Sequence, residues 1–487
     1  VNAQLAFRRR VRRFVQRWLR PRTFALALGL LFLLALALGA YLGRLSSLPA
    51  PFVDELEGSD SIQRLLVVAP HCDDEAIAAG ALIRRVRQQG GKVRVVIVTN
   101  GDGSLTGTIV QRRKPLPRAH DYILAGMLRQ QESLAAMAVL GVLPEDVLFL
   151  SYPDRGIAAL WEHYWEDATP YRSPLTRLTR SIYPLTFNKD AVYSGHSLLA
   201  DLRTILRDFQ PDTVVAPHPE DSHPDHWATG AFVALALATE RLQPAPRLLL
   251  YLVHRGDFPL PRGYLPGGPL LPPLRLVSEA YYWQKITFPD ELVAAKAAAI
   301  DKYRSQMPLL GRFLRSFVRQ NELFCELRQR PVPPLAPDQP LTPDASQWRS
   351  AGDEPIRPLV EDSARDTVPQ EVQKGGDIVA LYAARTADEL WIAAELRGRA
   401  SSVLTYYCLA RAANGAEVAR ARTLYPPRLG RRPRTVAEGN FLLVRFSLRE
   451  LGNPHTAVLT FEVRYPTGQA IDRIGWAILP LATGASP

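Results

Sequence analysis

The chain has 487 residues, 47% hydrophobic and 22% charged, a composition that suits two or three folded domains and excludes a disordered or low-complexity protein. Its net charge of +11 invites a nucleic-acid reading, but residues 1–53 hold nine arginines and no acid, which leaves only +2 for everything after them. The basic excess is therefore local, no basic patch interleaved with aromatics stands elsewhere, and nucleic acid is not an expected partner.

The N-terminal residues 1–22 are a basic segment, "FRRRVRRFVQRWLRPR" at its heart, followed at 23–43 by "TFALALGLLFLLALALGAYLG" without one charge. About 20 apolar residues span a bilayer core, so this run reads as a transmembrane anchor. The arginines keep the N-terminus cytoplasmic, which puts the rest of a single-pass protein on the outer, periplasmic or extracellular side. The rival is a cleaved signal peptide, whose apolar core is shorter, about 7–15 residues. Residues 44–61 form a tether.

Beyond it, "RLLVVAP" reads as a buried strand and "DDEAIAAGALIRRVRQQG" as a helix closed by Gly90. "KVRVVIVTN" is a second strand, "LRQQESLAAMAVLGV" a helix, "DVLFLSY" a strand, "SLLADLRTILRDFQP" a helix and "DTVVAPH" a strand. This alternation predicts a Rossmann-like α/β domain, a parallel sheet with helices on both faces, over residues 62–328. Residues 155–196, rich in Trp and Tyr, interrupt the rhythm and read either as a packed insertion or as a loop whose aromatic faces stack on sugar rings. A proline-rich linker follows at 329–347. Residues 348–487 contain six apolar runs, from "DIVALYAA" to "RIGWAIL", that suggest an all-β, sandwich-like domain. Carbohydrate binding by that domain is an expectation from architecture alone.

Two titratable clusters sit just past predicted strands: "HCDDE" at 71–75 and "HPEDSHPDH" at 218–226. Ligands of open parallel sheets bind at the carboxyl ends of strands. A catalytic zinc site takes three ligands from His, Asp or Glu and leaves a position open for water. A carboxylate that does not bind the metal can take the proton of that water, and an imidazole can serve the leaving group. One such cluster alone is more often a helix cap or a turn; two at strand ends supply the mixture that metal-assisted hydrolysis requires.

"PHCDDE" followed by "HPDH" resembles the zinc-dependent de-N-acetylases of the PIG-L/LmbE type, supported by "RQQE" at 129–132, "KAAAIDKYRSQ" at 296–306 and "FVRQNELF" at 317–324. The resemblance spans about residues 62–330 and leaves out the anchor and the C-terminal domain. It implies metal ligands at His71, Asp74 and His226, with Zn2+ as cofactor. It also implies Asp73 as general base, His223 as the electrophilic or general-acid imidazole, and Asp225 orienting His223. A His–His–Asp site with open positions also accepts Fe2+. The implied reaction removes acetyl from an N-acetylglucosamine-type sugar in a glycan, glycolipid or glycoconjugate, at the cell surface or lipid-linked. The alternatives are a non-catalytic, membrane-anchored glycan-binding protein, and an amidase acting on another amide such as a thiol conjugate.

Two departures stand out. Cys72 occupies a position that is usually Pro in this family, where a thiol is an extra ligand, an oxidation-sensitive group or a small buried residue. Asp221 stands where some relatives have Tyr, and an ionised acid cannot donate to an oxyanion. Arg129 reads as the partner of an acid, Glu75 as a first-turn helix carboxylate and His218 as a structural hydrogen-bonding group, while His120, His163, His196, His254 and His455 have no ligand spacing.

Overall fold

The computed structural model describes residues 52–335, 348, 356–362, 373–415, 417–426 and 435–481, with the isolated positions 29, 32, 33 and 36. The anchor reading at 23–43 thus lies almost wholly outside the described residues. Among those described, no helix is long and apolar enough to cross a membrane.

In chain order the first layer comprises β1 (Asp54–Glu55), β2 (Arg64–Ala69), α1 (Asp74–Gln88), β3 (Lys92–Thr99), α2 (Leu105–Arg112), α3 (Ala119–Leu140) and β4 (Val147–Tyr152). It continues with α4 (Ile157–Glu162), α5 (Gly195–Phe209), β5 (Thr213–Pro217), α6 (Pro224–Glu240), β6 (Arg247–Tyr251), β7 (Tyr281–Thr287), α7 (Asp290–Ile300), α8 (Met307–Leu314) and β8 (Asn321–Leu327). The strands form one sheet in the order β1-β7-β8-β6-β5-β2-β3-β4. Strands β6 to β4 of that order are parallel, and runs such as "LLVVA" are buried throughout, as strands covered on both faces must be. The parallel core agrees with the expected Rossmann-like sheet, which extends beyond it with an antiparallel strand. β8 is antiparallel to both β7 and β6. The chain passes from β6 to the outer β7 and then inserts β8 between them, a return that requires no crossover in the parallel sense.

From β2 the chain winds through β3 to β4, then crosses back to β5 on the other side of β2. The order therefore reverses between β2 and β5, which are neighbours. Such a switch point opens a crevice beyond the strand ends. Both titratable clusters leave the sheet there, so the topology explains why residues 71–75 and 218–226 meet.

Among the described residues, the strands of the C-terminal region pair antiparallel in two sheets. One sheet contains β9 (Val360–Glu361), β10 (Ile378–Arg385), β11 (Glu389–Leu396), β14 (Thr435–Glu438) and β15 (Phe441–Ser447), ordered β14-β15-β11-β10-β9. The other contains β12 (Thr405–Asn414), β13 (Glu417–Tyr425), β16 (Thr456–Arg464) and β17 (Ala470–Pro480), ordered β13-β12-β16-β17. Alternate residues Leu390, Ile392, Ala394 and Leu396 of β11 join Tyr406, Cys408, Ala410 and Ala412 of β12 in one core, as in a sandwich. β16, however, is buried from Ala457 to Val463 without alternation. Its outer face lies on α6, which is itself buried from Asp225 to Ala236. A helix buried all round must be enclosed by two layers; here they are the parallel sheet and the sandwich.

Residues Val53–Pro487 accordingly make one compact unit. The proline-rich segment, as far as it is described, does not run free. Val332 donates to Pro480, Leu335 to Arg385, and Arg385 to Pro333, so the segment lines the sandwich edge. The insertion at 155–196 is partly packed: Trp161, Trp165, Tyr183 and Tyr193 are buried while Tyr164, Ile182, Leu185 and Phe187 are exposed, and only its first residue, Arg155, lines the cavity described next.

Candidate metal centre and active site

His71 Nδ1, Asp74 Oδ2 and His226 Nε2 form a nearly equilateral triangle. The separations are 3.2 Å from His71 to Asp74, 3.2 Å from His71 to His226, and 3.1 Å from Asp74 to His226. Ligands of a tetrahedral zinc with bonds of about 2.0–2.1 Å stand about 3.3 Å apart. The three residues are 7%, 1% and 0% exposed, so nothing but a buried cation or shared protons can hold these donors together. Three more buried carboxylates surround them. His71 Nε2 lies 3.4 Å from both Asp154 Oδ1 and Asp225 Oδ2, and His226 Nδ1 lies 3.2 Å from Asp221 Oδ2. In each imidazole the far nitrogen faces a carboxylate and the near nitrogen faces the triangle, the arrangement that fixes tautomers for metal binding.

Charge balance points the same way. Without an ion, burial pushes His71 down, but Asp154, Asp225 and Asp74 hold its pKa well above the ordinary value. His226 is raised to about 9, with Asp221 and Asp74 overcoming burial. Asp74 is held well below the carboxylate range by His226 and His71, against its burial. A cluster that retains protons this strongly is short of positive charge, and a divalent ion on two His and one Asp fits it.

Asp73 is placed for a different task. It precedes α1 with φ +119° and ψ −29°, a conformation L-residues avoid, at a cost on the order of 1–3 kcal/mol. Glu75 holds it there: Asp73 N–H donates to Glu75 Oε2 at 3.0 Å, and Tyr303 O–H donates to Glu75 Oε1 at 2.5 Å. The strained turn sends Asp73 and Asp74 in different directions. Asp73 accepts from Arg129 Nη2 at 3.1 Å and lines the cavity. Burial raises its pKa to about 7, with Arg129 pulling against this and Asp74 and Glu75 adding to it. The place of Asp73 at the cavity, buried beside Arg129, suits a proton-transfer role.

His223 caps α6, its Nδ1 accepting the Asp225 N–H at 3.2 Å, with Pro224 at the first helical position. That bond leaves the ring proton on Nε2. Burial, with His71, His226 and His254 close by, holds the imidazole neutral well below its ordinary pKa. Asp225 thus orients His223 through its backbone. Its carboxylate is used elsewhere, accepting from Arg155 N at 2.5 Å and Ile157 N at 3.0 Å and facing His71.

The surrounding motifs find structural roles. Arg129 of "RQQE" also donates to Gly101 O, at 3.0 Å, and to Cys72 O; Gln130 donates to Asn100 at 3.0 Å; Glu132 accepts from Ser305 N at 2.8 Å. Helix α1 is broken at Ala79, with φ −138° and ψ 21°. The Ala81 and Leu82 amides beyond the break donate to Glu322, whose charge is matched by Lys296 at 2.8 Å. From the later motifs, Tyr303 therefore holds the first turn of α1 through Glu75, while Glu322 and Lys296 hold the part beyond the break. Cys72 is fully buried, burial pushes its thiol up, and it belongs to neither metal-type group among the described residues.

Sequence reasoning missed His254 and Asp154, and it noted Asp221 without its part beside His226. His254, read as ordinary, follows β6 and has a ring nitrogen within 4.8 Å of the donors of His71, Asp74 and His226. Its spacing carries no signal because another strand end brings it in. Asp154 follows β4 and lines the same cavity of about 160 Å³, with Ser104, Gln306 and Phe313. Asp221 is a support for His226, also accepting from the backbone of His223, Val253 and His254. Its position five residues before His226, in a cluster otherwise read for ligands, was the available clue.

Fold and site define an α/β protein with a His–His–Asp centre at the switch point of its sheet. Residues 66–237 match the family model "PIG-L: GlcNAc-PI de-N-acetylase", so the chain carries a PIG-L domain. Over 202 residues it is 32% identical to a 1D-myo-inositol 2-acetamido-2-deoxy-alpha-D-glucopyranoside deacetylase of Mycobacterium sp. (strain KMS), covering 41% of this chain and 57% of that one. The chain thus spans little more than half the length of this relative. Among solved structures it resembles N,N'-diacetylchitobiose deacetylase from Pyrococcus horikoshii, with TM-score 0.35, 21% identity and coverage of 56% of this chain and 87% of the other. It also resembles a 4-carboxy-2-hydroxymuconate hydratase from Pseudomonas putida KT2440, with TM-score 0.34, 17% identity and coverage of 55% and 98%. Likeness at this level does not separate one reaction from another.

Proposed function

We propose that this protein is a zinc-dependent de-N-acetylase acting on an N-acetylglucosamine-type amino sugar. The observation that carries the reading is the donor triangle of His71, Asp74 and His226 with Asp73 beside it on a strained turn. The curated relative, named for an acetamido-sugar substrate, supports the choice of amide. His71, Asp74 and His226 would hold the zinc, which would supply Lewis acidity towards the acetamide carbonyl and towards a water. Asp73 takes that water's proton and, once protonated, holds it for the departing amine. His223, neutral with its proton on Nε2, donates a hydrogen bond to the oxygen of the tetrahedral intermediate. Arg129 keeps Asp73 aimed into the cavity, and Asp221, Asp154 and Asp225 keep the two ligand imidazoles in register. The products are acetate and a free amine.

The same proposal extends to the membrane. Residues 23–43 anchor the protein, and the arginines before them favour an outward-facing catalytic domain over a cell-surface or lipid-linked glycan. The test is to load the purified protein with Zn2+, offer N-acetylglucosamine linked to inositol, to lipid and in oligomers, and assay acetate and free amine together. Equal release from one of these, absent in His226→Ala, is expected. No release from any of them by zinc-loaded protein would contradict the reading.

A further inference from the structure

The short helix α4 joins the metal centre to the sandwich. At its start, the Arg155 and Ile157 amides grip the Asp225 carboxylate, which faces His71 Nε2. Its end leaves carbonyls with no partner inside the helix. These are met by arginines from strands more than 200 residues away. Arg411 of β12 donates to Trp161 O; Arg420 of β13 donates to Glu162 O at 2.6 Å; Arg464 of β16 reaches Glu162 Oε2 at 2.7 Å. The Arg411 guanidinium is fully buried, 3.4 Å from the centroid of the Trp165 ring and 5.0 Å from that of Trp161. Trp165 is stacked on Phe232 of α6, the helix that carries Asp225 and His226.

The sandwich also backs α6 directly. A Cβ on Gly475 of β17 would lie 1.9 Å from Pro219 O, and one on Gly230 of α6 would lie 2.9 Å from Trp476 Nε1. Arg473 lies over the Trp227 ring at 4.8 Å. Donor and acceptor of the Asp225 contact are thus both mounted on the C-terminal sheet. A separable binding module would leave that sheet face free; here it is covered.

We infer that Arg411, Arg420 and Arg464 are positioning residues of the metal centre: by fastening the end of α4 they set the Arg155 and Ile157 amides, hence Asp225, against His71. The inference rests on the metal-site reading above. Guanidinium donors suit this task because they satisfy carbonyls and place positive charge at a helix C-terminus. The consequence is that the sandwich is part of the catalytic unit, acting on metal affinity and turnover.

The test uses the full chain with Arg420→Met and Arg464→Met combined, since both side chains are at least partly exposed and the buried Arg411 is left intact. Two quantities are read well below the melting temperature: the Zn2+ dissociation constant by chelator competition, and amide hydrogen exchange at Arg155 and Ile157. Metal binding about 10-fold weaker is expected, as for other groups that orient metal ligands, with exchange at both amides at least as strongly accelerated. Arg464→Lys, which keeps the charge facing Glu162, restores much of each. Val444→Ala, a core truncation in the other sheet, lowers stability without moving either quantity. Unchanged exchange in the double variant, or equal changes in Val444→Ala, would overturn the inference. Exchange decides the matter even if the wild type were found to bind no metal, which would count against the proposed function instead.

Discussion

The loop after β2 and the loop after β5 bring their side chains to one point, yet they are fastened differently. The first is held from within the α/β layer: Glu75 by Tyr303, Asp73 by Arg129, and the broken α1 by Glu322 and Lys296. The second is held partly by Asp221 within the loop and partly from behind, by Gly475 and Trp476 of the sandwich and by α4. The first arrangement uses partners that recur as short motifs in the same domain. The second spreads its support over strands whose sequence looks like any packed sheet. A site can therefore be recognisable in one domain and still depend on another.

This contrast can be broken in graded steps. The largest effect should come from the first loop's reacting group. Asp73→Asn is expected to lower kcat by about 10²–10⁴-fold, the usual worth of a general base, with metal content retained. Activity within tenfold of wild type, measured as acetate release, would remove Asp73 from that role. Next is the buried pair behind α1. Removing one member of such a pair leaves an uncompensated charge, so Lys296→Met should cost about 3–5 kcal/mol in denaturant unfolding. A loss below 1 kcal/mol would mean that the kink is not held by this pair.

The second loop should respond more in metal binding than in stability. Asp221→Asn keeps the shape of the side chain but weakens the partner of His226, so metal affinity should fall about 10–100-fold while the far-UV spectrum is unchanged. Wild-type affinity would contradict the part assigned to Asp221. The effect that is smallest near neutral pH concerns His218, stacked on Trp283, its pKa lowered to about 3 from 6.5 chiefly by burial and also by Arg255. Between those values the unfolded chain binds the extra proton, so this contribution is complete above pH 6.5 and lost as pH falls towards 3. Each pH unit in that window costs up to about 1.4 kcal/mol. His218→Phe should flatten the slope of stability between pH 6 and 4, and a slope equal to wild type would show that His218 does not stay neutral.

Much of this was legible in the sequence, for reasons that differ by element. The buried strands β2, β3, β4 and β5 announce themselves because parallel strands are continuous apolar runs. The clusters at 71–75 and 218–226 stand out because each interrupts such a run at its end, and the resemblance to the de-N-acetylases then singles out His71, Asp73, Asp74, His223, Asp225 and His226 within them. β13 escaped notice because "EVARARTLY" is an edge strand carrying Arg420 and Arg422. β7 and β8 are separated by helices like the other strands, but "YYWQKIT" and "NELFCEL" are broken by polar residues and do not read as continuous apolar runs. His254 and Asp154 reach the site from other strand ends, where only topology supplies the proximity. Asp225 orients His223 through its backbone N–H, and its carboxylate, whose direction no sequence pattern gives, faces His71 and the start of α4.

The most direct measurement is zinc content and affinity of the full chain beside His226→Ala, both exposed to metal under the same conditions. One zinc per wild-type chain, bound tightly and lost in the variant, is the expected result. Equal zinc in both, or none in the wild type after loading, would contradict the assignment of His71, Asp74 and His226 as a metal centre.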